Sequence, residues 1–218
     1  MTSRPRKPEP RPKPRLYLIT PPIAEPSAFS SQLRSAIDAG DIAAILLQLA
    51  EADERTQINR IKAVSEAVQA HGVALLVDGH FDMVARAGAD GTHITGVAAF
   101  SEAINRLKPE RIVGAGGLAS RHDAMFVAEH GADYVMFGEP DRHRKCPSFA
   151  AVIERISWWA ELFEVPCIGY APSIEDVALV ARAGADFVAL GDNLWASSDI
   201  VEAIRQAHAH LRLAEPAT

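Results

Sequence analysis

The sequence has few of the features that mark secreted, membrane-spanning or disulfide-built proteins. Only two of its 218 residues are cysteine, Cys146 and Cys167, and they form neither a Cys-x-x-Cys pair nor a zinc-ligand spacing. So few cysteines are compatible with a reducing compartment, and we expect a cytoplasmic protein. No apolar run approaches the roughly 18–20 residues of a spanning helix, which argues against an integral membrane protein.

Charge is distributed unevenly along the chain. The net charge is −6, yet residues 1–15 contain six lysines and arginines, one glutamate and five prolines. Alternating proline and basic residues favour extended conformations and leave little to bury. We therefore expect a disordered basic arm over residues 1–15 and a single domain over residues 16–213. Because the remaining chain is acidic, the sequence does not favour a nucleic acid as the partner.

Short apolar runs alternate with longer stretches of helical spacing throughout the rest of the chain. The predicted strands are 16–20, 42–49, 73–77, 91–95, 111–115, 134–138, 165–169 and 187–191. The predicted helices are 27–38, 56–71, 80–87, 98–107, 120–130, 148–163, 173–183 and 197–212. Most strands are continuously apolar, as expected of parallel strands covered on both faces.

Eight strand–helix units in strict order predict a closed (β/α)₈ TIM barrel. An open doubly wound sheet is the alternative. That fold usually carries a glycine-rich phosphate loop after its first strand, where this chain has Pro21 and Pro22. A repeated Gly-Ala-Asp sequence, at 88–90, 131–133 and 184–186, follows three of the predicted helices and supports the count of units.

In a barrel of this kind, binding and catalytic groups lie in the loops after the strands. The candidates at those positions are Gln48, Asp78, His80, His93, Gly114, Lys145, Gly169, Gly191 and Asp192. The glycines after strands seven and eight either bind the phosphate of a small phosphorylated molecule or only form tight turns. His80 and His93 are candidates for acid–base chemistry or for a structural hydrogen bond.

Several segments carry a resemblance to a known family. They include Leu-Tyr-Leu-Ile-Thr at 16–20, Leu-Gln-Leu at 47–49, Leu-Leu-Val-Asp-Gly-His-Phe-Asp at 75–82 and Gly-Ala-Asp-Gly-Thr-His-Ile at 88–94. In this order the segments resemble the thiamine phosphate synthase superfamily, which also contains a thiazole tautomerase branch. The resemblance covers nearly the whole folded part. It implies a TIM barrel that joins a pyrimidine methyl diphosphate to a thiazole phosphate, with release of pyrophosphate and with Mg²⁺ as the cofactor.

The family's site residues carry over only in part. Gln48 matches the glutamine of the Gln-x-Arg-x-Lys motif, but Ala50 and Ala52 stand where the family has its two cations. Asp78-Gly79-His80 stands where the family has Asn-Asp-Arg, so Asp78 lies one position from a metal ligand. The second metal carboxylate falls near Ala98, and the lysine after strand six corresponds to Lys145.

Two hypotheses follow from these matches and replacements. The first is an enzyme of thiamine biosynthesis with the family's reaction or a variant of it, with Gln48, Lys145 and His80 as catalytic candidates. In that hypothesis His93, Gly114, Gly169, Gly191 and Asp192 bind substrate, and Asp78 binds metal. Losing two cations and two metal carboxylates removes transition-state stabilisation, which argues against ordinary magnesium-dependent displacement. The second hypothesis is therefore a non-catalytic barrel that binds a phosphorylated ligand or regulates a partner. The sequence leaves open whether the chain forms a homo-oligomer.

Overall fold

The computed structural model describes residues 12–141 and 145–214, and its strands form a closed parallel barrel. The strands are β1 (Arg15–Ile19), β2 (Ile42–Leu47), β3 (Ala74–Asp78), β4 (Gly91–Thr95), β5 (Ile112–Gly116), β6 (Tyr134–Phe137), β7 (Cys167–Tyr170) and β8 (Phe187–Leu190). Each strand pairs with the next in sequence order, and β8 pairs with β1 to close the ring. The prediction of a (β/α)₈ TIM barrel is confirmed.

Helices connect the strands and cover the outside of the barrel. They are α1 (Pro26–Ala39), α2 (Glu54–Gln69), α3 (Val84–Ala87), α4 (Val97–Leu107), α5 (Arg121–Glu129), α6 (Phe149–Leu162), α7 (Val177–Arg182), α8 (Asp192–Trp195) and α9 (Ile200–Leu213). The third predicted helix is in fact a 3₁₀ turn, Phe81–Met83, followed by the short α3. The short α8, which directly follows β8, is an element that the sequence pattern did not predict.

Side chains next to the helix starts satisfy amide groups that would otherwise lack partners. Asp53 accepts a hydrogen bond from the Thr56 amide at the start of α2. Ser120 and Asp123 form a reciprocal capping box at the start of α5. These caps mark where α2 and α5 begin, after the loops that follow β2 and β5.

Apolar side chains form two layers, one on each side of the strands. The outer layer lies between strands and helices and includes the fully buried Phe100 and Trp159. The inner layer fills the barrel and is formed mainly by these side chains: Tyr17, Ile19, Ala44, Leu46, Leu76, Tyr134, Met136, Ile168, Tyr170 and Ala189. Because both strand faces are buried, the strands read as continuous apolar runs in the sequence.

The repeated Gly-Ala-Asp sequences join successive units of the barrel at the end opposite the mouth. The Asp90 carboxylate accepts a hydrogen bond from the Leu75 amide at 2.7 Å, while the Asp90 amide donates to the Leu75 carbonyl oxygen. Asp133 makes the same pair of bonds with Val113. Asp186 does so with Cys167. Each aspartate therefore holds the start of one strand to the strand before it.

The N-terminal end of the described chain is held by an ion pair. Arg15, which we expected in the disordered arm, is the first residue of β1, and its guanidinium donates two hydrogen bonds to Asp41. Most of the predicted basic arm, residues 1–11, lies outside the described residues. Within the described part of the chain, no helix combines the length and apolar character needed to cross a bilayer.

Candidate functional site

A pocket opens at the carboxyl ends of the strands, where the sequence placed its candidate residues. It is open to solvent and has a cavity volume of about 80 Å³. Its lining consists of Ile19, Leu46, Gln48, Asp78, His93, Thr95, Met136, Glu139, Pro140, Asp141, Tyr170, Gly191 and Asp192. Five of the predicted site residues therefore meet in one pocket: Gln48, Asp78, His93, Gly191 and Asp192.

One wall of the pocket contains a hydrogen-bonded pair from β3 and the loop after β2. The side-chain amide of Gln48 donates to Oδ2 of Asp78 at 3.0 Å. The backbone amide of Gln48 donates to the Thr20 hydroxyl oxygen at 3.0 Å, which fixes the loop that carries it. Because the carboxylate orients the Gln48 amide, the Gln48 side chain is held in place at the edge of the pocket.

The floor of the pocket lies on a row of buried hydrogen-bonding groups. The hydroxyl groups of Tyr17 and Tyr134 are 2.9 Å apart, and the Tyr134 hydroxyl lies 3.0 Å from Nδ1 of His93. All three side chains are almost fully buried, and the rings of His93 and Tyr134 stack with centroids 5.7 Å apart. Burial raises the pKa of both tyrosines, so they stay neutral hydrogen-bonding groups.

The other nitrogen of His93 has no hydrogen-bond partner among the described residues. His93 is 2% exposed, and its Nε2 atom is buried. Burial lowers the pKa of His93, while the nearby Asp78 carboxylate opposes that effect. His93 is therefore a buried imidazole in the pocket wall with one hydrogen-bonding position left open.

Glu139, which follows β6, lies beside this open position. A methyl group added to Gly116 would collide with both Oε1 of Glu139 and Nε2 of His93, so the two side chains meet over a glycine that leaves room for them. The Gly117 amide, in a left-handed loop, donates a hydrogen bond to Oε1 of Glu139. Gly116 and Gly117 thus bring a carboxyl group and an imidazole together at the pocket.

Burial sets the electrostatic character of Glu139. It raises the pKa of this carboxyl group to about 7, and Asp78 pushes it in the same direction, whereas the Gly117 amide and Arg155 oppose the rise. Glu139 is not among the site residues predicted from the sequence. Its position after β6 is the signal that identifies it, because β4, β5 and β6 are neighbours in the barrel.

The remaining predicted site residues lie elsewhere. Gly114 faces the ring of Tyr134 inside the barrel, and Gly169 faces Ile156 and Val180 on the helical side of β7. Neither glycine lines the pocket.

Two further candidates, His80 and Lys145, do not line the pocket. His80 precedes the 3₁₀ turn after β3. Lys145 is exposed, and its backbone amide donates to the carboxylate of Asp141, which is a pocket residue. The three residues between Asp141 and Lys145 in the sequence, Arg142, His143 and Arg144, lie outside the described residues.

Four acidic side chains line the pocket. Asp78, Glu139, Asp141 and Asp192 contribute carboxyl groups, while no lysine or arginine lines the pocket within residues 12–141 and 145–214. The same described residues contain no cluster of three or more histidine, cysteine or acidic side chains arranged as metal ligands.

Comparisons with known proteins agree with the fold and identify the family. The Thiamine monophosphate synthase family profile matches residues 16–194. A thiamine-phosphate synthase from Rhodospirillum centenum is 38% identical over 185 residues, which cover 83% of this chain and 89% of that protein. A thiamine-phosphate synthase from Hyphomonas neptunium is 34% identical over 200 residues, which cover 88% of this chain and 90% of that protein.

Solved structures with low sequence identity share the barrel. The thiamine phosphate pyrophosphorylase from Pyrococcus furiosus superposes with a TM-score of 0.75 at 20% identity, covering 93% of this chain and 97% of that one. The 3-hexulose-6-phosphate synthase from Salmonella typhimurium superposes with a TM-score of 0.72 at 18% identity. At such low identities, both similarities concern the fold alone. The matched profile and the two relatives each span most of the barrel, and the chain therefore belongs to the thiamine monophosphate synthase family.

Proposed function

We propose that this protein acts in thiamine biosynthesis and joins a pyrimidine methyl diphosphate to a thiazole phosphate. In this reaction the bond between the methylene carbon and the diphosphate oxygen breaks, and both electrons leave with pyrophosphate. The lone pair of the thiazole nitrogen forms the new bond to carbon. We place the reaction in the cytoplasm, in keeping with the small number of cysteines.

The observation that carries the proposal is the 38% identity to a thiamine-phosphate synthase over most of both chains. The position of the pocket supports it, because active sites of TIM barrels lie at the carboxyl ends of the strands. Gln48, the one residue kept from the Gln-x-Arg-x-Lys motif, lines this pocket and is hydrogen-bonded to Asp78.

In this proposal the polar side chains of the pocket position the two substrates. Gln48, held by Asp78, is the amide that contacts the substrate on the β2 side, and His93 offers its open nitrogen from β4. Gly191 and Asp192 border the pocket after β8. Lys145, next to the pocket residue Asp141 through its backbone, is the candidate cation for the phosphate groups.

Mg²⁺ is the cofactor that we propose for the diphosphate, with a single protein carboxylate as its ligand. Mg²⁺ in phosphate-transfer sites takes oxygen ligands, commonly one or two carboxylates together with substrate phosphates and water. Asp78, the carboxylate nearest the family's ligand position, would hold it. When bound, the ion would neutralise negative charge on the departing pyrophosphate.

The replaced cations favour a second candidate function. Ala50 and Ala52 stand at the two cationic positions of the family motif, and no lysine or arginine lines the pocket in the described part of the chain. A barrel with this lining that binds a phosphorylated ligand or a regulatory partner without turnover is the alternative.

Turnover by the purified full-length protein separates the two functions. The protein is incubated with the pyrimidine diphosphate, the thiazole phosphate and Mg²⁺, and thiamine phosphate is measured by its conversion to fluorescent thiochrome. We expect product to accumulate in proportion to the enzyme and in equal amount with released pyrophosphate. Binding of either substrate with product no higher than in the protein-free sample would reject the synthase and favour the binding barrel.

A further inference from the structure

The surroundings of Glu139 point to a ligand that carries positive charge. Its carboxyl group is held over Gly116, beside the buried and unpartnered Nε2 atom of His93. Three more carboxyl groups line the same pocket, and the described lining contains neither lysine nor arginine. These carboxyl groups would attract a positively charged part of a ligand.

We propose that Glu139 and His93 form the corner of the pocket that binds a planar ring carrying a positively charged nitrogen. The inference rests on the proposed function, because that reaction turns a neutral thiazole nitrogen into a quaternary one. It gives Glu139 and His93 a role in binding. It also places the ring of the ligand, and not its phosphate, beside the carboxyl groups.

The geometry gives each residue a separate task. The Gly117 amide fixes Oε1 of Glu139, so the carboxylate is already oriented before the ligand arrives. The Tyr134 hydroxyl, which itself contacts Tyr17, fixes the His93 ring and leaves Nε2 for the ligand. Pre-oriented charges stabilise a developing charge more effectively than mobile ones, since they need no reorganisation during the reaction.

The apolar part of the lining suits the flat ring. Ile19, Leu46, Met136 and Tyr170 line the same pocket, and the faces of aromatic rings attract cations. A ring bound between these side chains would lie in surroundings of low dielectric constant, where an opposite charge on Glu139 has its greatest effect. Positive charge on the ring would in turn favour the ionised form of Glu139, which is the form required for binding.

A matched pair of ligands tests this inference without any chemical reaction. The probes are the neutral thiazole phosphate and its N-methyl thiazolium derivative, which differ by one methyl group and one positive charge. Their dissociation constants are measured by titration calorimetry at pH 8 with EDTA present, so that no metal ion bridges ligand and protein. We expect the wild-type protein to bind the thiazolium at least tenfold more tightly than the neutral ring.

Two variants locate the effect. In Glu139→Gln the amide keeps an oxygen for the Gly117 N–H but carries no charge, and we expect the thiazolium preference to fall to about threefold or less. The matched control is Glu161→Gln, an exposed position of α6 outside the pocket, which should keep the wild-type preference. Should Glu139→Gln fail to fold, the wild-type ratio alone still decides.

The outcomes for the two proposals are distinguishable. Equal affinity of the wild-type protein for both rings would overturn the inference, and so would an unchanged preference in Glu139→Gln, even if the protein makes thiamine phosphate. A thiazolium preference that depends on Glu139, in a protein without turnover, would support the inference and reject the synthase reaction.

Discussion

Tyr134 and His93 are joined both by a hydrogen bond of 3.0 Å and by stacking of their rings inside the barrel. The same Tyr134 hydroxyl lies 2.9 Å from that of Tyr17, so a single oxygen atom serves two buried neighbours. The stability of the barrel interior and the orientation of a pocket residue therefore depend on the same group.

Removing this hydroxyl tests its structural role. In Tyr134→Phe the polar groups of both neighbours lose their partner, and we expect the free energy of unfolding to fall by about 1–3 kcal/mol in urea denaturation. Adding Tyr17→Phe to that variant should cost much less than Tyr17→Phe alone, because the Tyr17 hydroxyl is then already unpaired. Additive losses would show that the two hydroxyl groups do not act as a pair.

The pKa of Glu139 predicts a dependence of stability on pH. Burial raises this pKa from 4.5 to about 7, so between these values the folded protein holds a proton that the unfolded chain releases. The stabilising contribution of the neutral carboxyl group is complete below pH 4.5 and is lost as the pH rises to about 7. Glu139→Gln removes the ionisation altogether.

We therefore expect Glu139→Gln to be more stable than the wild type at pH 8, by on the order of 2 kcal/mol, and to match it near pH 4.5. Urea denaturation at both pH values measures the difference. Glu161→Gln, on the surface of α6, should show no such change with pH. A difference between Glu139→Gln and the wild type that is the same at both pH values would contradict the assigned pKa.

A substitution of Gln48 tests whether the pocket wall formed by Gln48 and Asp78 contributes to the proposed reaction. Gln48→Ala removes an amide that Asp78 holds at the pocket, and we expect kcat/KM for thiamine phosphate formation to fall about tenfold or more. The matched control is Gln206→Ala, an exposed position of α9. Equal activity of the two variants would remove Gln48 from the site.

Substitutions of two glycines should have different effects, one on ligand binding and the other on packing. Gly116→Ala would push a methyl group against Glu139 and His93, and we expect it to weaken binding of the thiazolium probe at least tenfold. Gly169→Ala would push a methyl group against Ile156 and Val180 on the helical side, so it should lower the free energy of unfolding by about 1–3 kcal/mol and leave the affinity of the folded protein unchanged. Calorimetry and urea denaturation on both variants check this contrast.

The Gly-Ala-Asp contacts make a further prediction. Asp90→Ala leaves the Leu75 amide and the Gln69 side chain without their acceptor, and the free energy of unfolding should fall by about 1–3 kcal/mol. Asp82→Ala, which removes only an exposed ion pair with Arg106, should cost less than about 1 kcal/mol. Equal losses would mean that the Asp90 contacts add nothing beyond a surface charge.

The sequence allowed the barrel to be predicted because its signals repeat. Apolar strand runs alternate with stretches of helical spacing along the chain, and the three Gly-Ala-Asp sequences support the same count of units. The site was harder to predict. Continuously apolar strands do not reveal which alternate residues point inward, so the sequence could not distinguish Gly169, which faces the helices, from Tyr170, which lines the pocket.

Glu139 escaped assignment for a related reason. Glu139 accepts a hydrogen bond from Gly117 and lies beside His93, and these residues are 22 and 46 positions away in the sequence. These residues share no local motif, and the acidity of the pocket appears only when the ends of β3, β6 and β8 are brought together. Gln48, Asp78 and His93 could be predicted because the strand-end rule applies to each of them independently.

The aspartates of the Gly-Ala-Asp repeats are placed at the rim farthest from the ligand, and this has an evolutionary consequence. Since assembly of the ring is secured there, replacements in the loops of the opposite rim need not endanger folding. A barrel held in this way tolerates changes of residue in the loops of its mouth, including positions 50 and 52. Contacts at one end of the barrel thus stabilise the fold, while residues at the other end can change with the ligand.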